Sequence, residues 1–336
     1  MRARARGWLA AAATVLFTGC TAPGVNPTGA QPSPTFAGAQ AGMPAGSSRI
    51  AGLKQPFGMA TEPGAAWVTE YEGGNLVRID TSANRIAGRI HVGRHASHVA
   101  IQNGFAWVVD DLGGSLISVD TKVNRVSQSI PMRPTADLRP VGLATGQGSL
   151  WVILAPQYYS YAKLPPSQLV RVDPASGGVL ANIPVPGNGA GVAVGGGAVW
   201  VVSTLEPVTI YRIDPMTNRI AARIDTGHTA SGALVFQEPY LWAANQDGYL
   251  TRIDSRSNAA TPFEVGSPEW PTLVAEGGAV WISAPLDNIV ARFDPGTGTV
   301  TRTVHAGSRP QGFAFLGNDM WVANYIDGTV ARLPIN

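Results

Sequence analysis

The sequence has 336 residues, only 14% of them charged, with 40 glycines, 26 prolines and one cysteine. The formal net charge is +2, and three positive residues (Arg2, Arg4 and Arg6) lie within the first six positions. The remainder is close to neutral, which excludes nucleic acid as an expected partner because no basic surface is available for a phosphate backbone. A lone cysteine excludes an internal disulfide.

The chain opens with a basic stretch followed by an apolar run, Gly7 to Phe17. Eleven residues is too short to span a bilayer as a helix but fits the hydrophobic segment of an export signal. The run ends in Phe17-Thr18-Gly19-Cys20, which resembles the lipobox of bacterial lipoproteins. The resemblance implies cleavage before Cys20 and acylation of its thiol. Residues 1–19 are thus expected to be a signal peptide and Cys20 a lipid anchor, each buried methylene contributing about 0.8 kcal/mol to membrane attachment. This predicts an exported, membrane-anchored protein facing the periplasm or the cell exterior. Residues 20–48 are rich in Pro, Gly, Ala, Ser, Thr and Gln. They cannot bury enough apolar surface to offset the entropy of ordering and read as a flexible linker.

From residue 49 the sequence repeats. Trp67, Trp107, Trp151, Trp200, Trp242, Trp281 and Trp321 mark one position, at steps of 40, 44, 49, 42, 39 and 40 residues. Each begins a short apolar run. An alternating run ending in Asp follows, as in Val77-Arg78-Ile79-Asp80 and Tyr211-Arg212-Ile213-Asp214; then come turn residues and a further run such as Arg85 to Ile90. A Gly-rich turn precedes each Trp, and a short strand such as Gly58-Met59-Ala60 precedes that turn. Period-two alternation with Gly, Pro and Asn punctuation predicts strands, four per unit, and no segment sustains a helical period. Four strands in about 40 residues describe a propeller blade. The last unit lacks its fourth strand, whereas Ser48-Arg49-Ile50-Ala51-Gly52 matches Asn84-Arg85-Ile86-Ala87-Gly88. The expectation is an all-β, seven-bladed β-propeller of four-stranded blades over residues 49–336, a monomer, with the N-terminal strand 49–53 completing the last blade.

Several runs resemble a known repeat class. Gly328-Thr329-Val330-Ala331-Arg332, Trp321-Val322-Ala323-Asn324 and Ile79 to Gly93 look like the YVTN-type repeats of YncE-like propellers. They are also similar to those of the streptogramin (virginiamycin B) lyases. The resemblance covers residues 48–336. It implies the propeller fold and, on the lyase side, Mg²⁺-dependent elimination chemistry that uses His and Glu to linearise a cyclic depsipeptide.

Propeller geometry sends the loops between second and third strands, and those between blades, to one face, where ligands gather. Two departures from the repeat fall there. One adds length around Arg133, Asp137 and Arg139; the other inserts residues 157–163, with Tyr158, Tyr159, Tyr161 and Lys163. Irregular loops on a regular scaffold carry function, and Tyr and Arg are favoured at binding hot spots. These residues form the expected ligand-binding set. The third residue after each Trp gives Glu70, Asp110, Leu154, Ser203, Asn245, Ala284 and Asn324. Among these, Glu70, Asp110, Asn245 and Asn324 offer oxygens suited to Ca²⁺ or Mg²⁺. His95, His98 and His228 are assigned to between-blade loops on the same face. His228 with Glu269, or His95 with Glu70, could serve as a general base. The function expected is a binding or scaffolding module for a peptide, glycan or protein partner. The alternative is a metal-assisted lyase or hydrolase at the channel mouth.

Overall fold

The computed structural model describes residues 42–135, 137–156, 165–205, 208–228, 230–266 and 271–335. Strand β1 (Ser48–Ala51) precedes the first full blade, β2 (Pro56–Glu62), β3 (Ala65–Glu70), β4 (Asn75–Asp80) and β5 (Arg85–His91). Blade 2 comprises β6 (Ala96–Gln102), β7 (Phe105–Asp110), β8 (Ser115–Asp120) and β9 (Arg125–Pro131). Blade 3 comprises β10 (Leu138–Gly146), β11 (Ser149–Pro156), β12 (Ser167–Val172) and β13 (Val179–Val185). Blade 4 comprises β14 (Gly189–Gly195), β15 (Ala198–Ser203), β16 (Thr209–Asp214) and β17 (Arg219–Asp225). Blade 5 comprises β18 (Ala230–Gln237), β19 (Tyr240–Asn245), β20 (Tyr249–Asp254) and β21 (Ala260–Glu264). Blade 6 comprises β22 (Leu273–Glu276), β23 (Ala279–Ala284), β24 (Ile289–Asp294) and β25 (Thr299–His305); blade 7 supplies β26 (Pro310–Leu316), β27 (Asp319–Asn324) and β28 (Thr329–Pro334).

Each blade is a four-stranded antiparallel sheet, and the seventh takes β1 as its outer strand, with Ser48 opposite Arg332 and Ala51 opposite Thr329. The first strands of successive blades pack side by side from β2 through β6, β10, β14, β18, β22 and β26 back to β2. The ring is therefore closed and seven-bladed, as the repeat count requires. Closure removes the open edge that the shortened last unit would otherwise present.

The repeated Trp explains the spacing of the blades. Trp67 packs against Ala106, Val108 and Val119 of blade 2, and Trp107 against Leu150, Val152 and Val172 of blade 3. The pattern continues around the circle until Trp321 meets Ala66, Val68 and Val77 of blade 1. Each indole thus fills the gap to the next blade, and six of the seven are among the largest fully buried side chains.

The marker Asp closes the hairpin to the outer strand. Asp80 Oδ1 accepts from the backbone N–H of Ser82 and Ala83, at 2.9 and 3.0 Å. Four residues on, Asn84, Asn124, Asn218 and Asn258 adopt positive φ, and each hairpin carries a bulge or short turn there. Asn tolerates this left-handed conformation better than other non-Gly residues. The hydrogen bonds that Ser82 and Ala83 donate hold the Asp80 carboxyl down at about 2.

Inner strands approach so closely that side chains are squeezed out. A Cβ at Gly58 would collide with the Ser97 carbonyl, and one at Gly312 with that of Phe57. The described chain enters β1 from the face opposite the β3–β4 turn: Met43 packs near Ile335, and Gly46 lies beside Pro334.

Candidate functional site: an aromatic and charged arc at the channel mouth

The face carrying the turns between second and third strands also carries the between-blade loops, because Pro56, Ala96 and Pro310, which begin inner strands, pair with Glu70, Asp110 and Asn324. We call this face the mouth. At its surface the polar residues three positions after each Trp are buried clamps. Glu70 Oε1 accepts from the Lys54 N–H and from Arg89 Nε, both at 3.2 Å, and Oε2 accepts from Asn75 Nδ2 at 2.8 Å. Asp110 accepts from the backbone N–H groups of Arg94, His95 and Gly113 at 3.1, 3.0 and 2.9 Å. Gly93 and Gly113 stand where any Cβ would strike the Asp110 carboxylate. Asn324 donates to the Ala306 carbonyl and Asn245 to Thr251.

Among the four residues expected to hold Ca²⁺ or Mg²⁺, Glu70 and Asp110 each accept three hydrogen bonds, whereas Asn245 Oδ1 and Asn324 Oδ1 are buried and accept none. Among the described residues no group of three or more His, Cys, Asp or Glu is disposed to bind a metal. The clamps tie each turn to the preceding between-blade loop and so fix the platform on which the mouth is built.

One residue further along, at the fourth position after Trp, side chains face one another across blades. Tyr71 donates from its hydroxyl to Asp111 Oδ2 at 3.2 Å, bridging blades 1 and 2. His95 lies against Tyr71, with ring centroids 4.6 Å apart, and its Nδ1 is 3.9 Å from Asp111 Oδ1. Phe57 on β2 is the hub: its ring is 5.6 Å from Tyr71, 5.8 Å from His98 and 6.4 Å from Tyr325 of blade 7. Tyr325 donates to Gln55 Oε1 at 2.6 Å, and the Arg309 guanidinium lies 5.9 Å above its ring. Arg139, at the mouth end of β10, brings a positive charge to Tyr71 and Asp111. The cluster spans blades 7, 1, 2 and 3, and its rings are half-buried.

Burial dominates the electrostatics here. It pushes the Tyr71 hydroxyl up to about 12, helped by the neighbouring Asp111 carboxylate. Tyr71 therefore stays a hydrogen-bond donor at every physiological pH. Burial also raises the Asp111 carboxyl, against the pull of Arg139, His95 and the Tyr71 hydrogen bond. Tyr325 is raised by burial as well, with Arg309 opposing. The His98 imidazole is pushed down to about 4 by burial alone. The residue as a whole is half-buried, and its ring lies against Phe57 with Nδ1 3.3 Å from Ser97 Oγ. Three buried polar atoms of the arc have no hydrogen-bond partner: His95 Nδ1, Asp111 Oδ1 and Arg139 Nε. Such atoms are costly unless something satisfies them.

The expected ligand-binding residues divide. Arg139 belongs to the arc. Arg133 and Asp137 are exposed on the adjoining loop, with the stem of Arg133 lying over Gly114. Tyr158, Tyr159, Tyr161 and Lys163 lie outside the described residues, as do Glu269 and Cys20. Of the histidines, His95 is in a between-blade loop as expected, whereas His98 is within inner strand β6. His228 is in the between-blade loop from β17 to β18, as expected, but apart from the arc; its Nδ1 is 2.8 Å from Asp247 Oδ2, and its ring stacks on Tyr249 at 4.3 Å. Phe57, Tyr71, Asp111, Arg309 and Tyr325 were not singled out by the sequence reading. For Tyr71, Asp111 and Tyr325 the signal was the position after the clamp, where the repeats differ: Tyr71, Asp111, Ala155, Thr204, Gln246, Pro285 and Tyr325.

Comparison with known proteins places the fold. No family model matches the sequence, and no curated protein matches it. Solved structures do. One described as a streptogramin B lyase structure matches with a TM-score of 0.72 and 16% identity, over 86% of this chain and 97% of the other. A hydrazine synthase structure from Kuenenia stuttgartiensis matches with a TM-score of 0.72 and 13% identity, over 87% and 99%. The computationally designed Ika8 protein matches with a TM-score of 0.64 and 11% identity, over 88% and 100%. At these identities the likeness is one of fold: this chain shares the propeller fold of these structures. An enzyme and a designed protein in the same group show that the fold alone does not select a task.

Proposed function

We propose that this propeller is an extracytoplasmic binding module, anchored through a lipid on Cys20, which captures a peptide segment at the blade 7–1–2–3 arc of its mouth. The observation that carries the reading is the Phe57–Tyr71–Tyr325 floor, beside which His95 Nδ1, Arg139 Nε and Asp111 Oδ1 lie buried without a hydrogen bond, His95 Nδ1 and Asp111 Oδ1 facing each other at 3.9 Å. Flat rings offer apolar contact at low entropic cost, and adjacent donors and an acceptor match a peptide backbone.

The test is affinity selection from a soluble pentapeptide library, read by mass spectrometry, on the soluble propeller and on a Tyr71→Ala/Arg139→Ala variant. The native protein should enrich a sequence consensus that the variant does not. Equal enrichment by both removes the arc as the site, and enrichment by neither removes the binding reading.

A second reading, acid–base catalysis at the mouth, is favoured by one feature. Asp247 holds the His228 ring through Nδ1, an arrangement that orients an imidazole and supports it as a general base. The fold shared with a streptogramin B lyase makes a cyclic depsipeptide the first substrate to try. Ring opening that is lost in His228→Ala supports this reading; an intact ring after prolonged incubation removes it.

A further inference from the structure

We infer that the arc recognises a carboxylate attached to a flat apolar group, in particular the C-terminal carboxylate of a peptide ending in an aromatic residue. The inference rests on the binding reading above and specifies its ligand.

The argument starts from charge. Two guanidiniums stand at the ends of the aromatic floor: Arg139 from β10 of blade 3, and Arg309 from the loop before β26 of blade 7. Neither has an ion-pair partner among the described residues, where the salt bridges are Arg89–Glu70, His95–Asp111, His228–Asp247, Arg292–Asp294 and Arg332–Asp319. Arg139 Nε is buried and makes no hydrogen bond. A guanidinium held in this way is a preset partner for a planar anion, which it can engage through two parallel N–H donors.

Asp111, the acid of the arc itself, is engaged by its own wall. Asp111 is drawn inward: it accepts from the Tyr71 hydroxyl and lies beside His95, and burial raises its carboxyl. Its charge is thus shared among three groups of the wall, one of them Arg139. The exposed Arg309 spreads over the Tyr325 ring, where the Glu72 carboxylate also acts. An incoming carboxylate meets a guanidinium at each end of the floor.

The floor itself selects the attached group. Phe57 touches Tyr71, His98 and Tyr325 at centroid distances of 5.6 to 6.4 Å, with interplanar angles between 35° and 76°. Such a tilted set presents both ring edges and ring faces, the arrangement into which another aromatic side chain packs. His98 stays uncharged above about pH 4, so it adds to the apolar floor.

Three probes test this by isothermal titration calorimetry on the soluble propeller: N-acetyl-Ala-Ala-Phe with a free carboxylate, the same peptide as its C-terminal amide, and N-acetyl-Ala-Ala-Ala with a free carboxylate. The first should bind at least ten-fold more tightly than the amide and at least five-fold more tightly than the alanine peptide. In Arg139→Gln, whose melting temperature serves as a folding control, the acid-over-amide preference should fall below two-fold. Arg309→Gln should lower it by a smaller factor. Equal binding of acid and amide to the native protein, an unchanged preference in Arg139→Gln, or no binding of any probe overturns the inference. The binding reading itself is decided independently by the library selection, where a consensus without a terminal carboxylate requirement leaves it standing.

Discussion

The mouth of this propeller has two unlike sides built on one backbone plan. In blades 7, 1 and 2 the position after the clamp carries Tyr325, Tyr71 and Asp111; in blades 4 and 5 it carries Thr204 and Gln246. The strand register beneath is the same in both, since Glu70 pairs with Pro56 as Ser203 pairs with Gly189. The inner strands differ likewise. Before the residue that pairs with the one after Trp, the blades have Gly58, His98, Gly142, Gly191, Ala233, Thr272 and Gly312. Blade 2 alone places a ring at this crowded point. The scaffold is therefore common property, and the difference between the two sides lies in side chains that the scaffold does not need.

That division can be broken first at the level of stability. Trp67 and Trp200 lie in the rich and the plain side, respectively, and both are fully buried against the next blade. Replacing either by Ala should cost about 3–5 kcal/mol, read from denaturant unfolding of the soluble propeller. Similar losses would show that the arc is not sustained by extra core packing. A loss at Trp67 that exceeds the loss at Trp200 by more than about 2 kcal/mol would mean that the two sides differ in their scaffold after all.

The same division explains what could be read from the sequence. Trp, marker Asp and Asn at positive φ recur because every blade must fill the same gap and close the same hairpin. A repeated constraint leaves a repeated letter, and strand count and closure by Ser48–Ala51 follow from counting such letters. The position three after Trp is polar in five blades, and Glu70, Asp110 and Asn324 each bond the backbone of the preceding between-blade loop there. The arc sits one residue beyond, where side chains turn from the loop toward the mouth. Its members share no letter. Phe57, Arg139 and Arg309 come together only through ring closure, which no local pattern encodes. His98 could have been noticed as the ring that replaces a small residue, but its place inside β6 rather than in the preceding loop depended on the bulge between Ala96 and Val99.

His98 offers the next way to sharpen the contrast. Its pKa in the folded state is about 4, below the ordinary imidazole value of about 6.5, because burial disfavours the charged ring. Between these values the unfolded chain binds the proton and the folded chain does not, so stability is full above about pH 6.5 and falls as pH drops toward 4. The loss should reach about 2 kcal/mol at pH 4, after allowance for the residue being only half-buried as a whole. Asp111 works in the opposite sense, since its raised carboxyl takes up a proton more readily in the folded state and relieves a penalty on acidification. The comparison is therefore made between native protein and His98→Asn at each pH. The gap between their unfolding free energies should change by that amount from pH 7 to pH 4, and a constant gap would mean that His98 takes up its proton as readily in the folded chain as in the unfolded one.

The smallest expected effect is also the most local. Tyr71→Phe removes only the hydroxyl that donates to Asp111 Oδ2 at 3.2 Å. Both oxygens of a carboxyl already raised by burial would then lack a side-chain donor, because Oδ1 has none to begin with. The loss should be about 1–2 kcal/mol at pH 7, where the carboxylate is charged. It should shrink on acidification as the carboxyl becomes protonated. Thr204→Val is the matching change in the plain arm: its hydroxyl donates to the exposed-side Asn188 carbonyl at 3.3 Å, and no titrating group depends on it. Its cost should be under about 1 kcal/mol and independent of pH. If Tyr71→Phe is equally insensitive to pH, the phenol and the carboxylate are not coupled, and the arc loses the feature that most distinguishes it from the rest of the mouth.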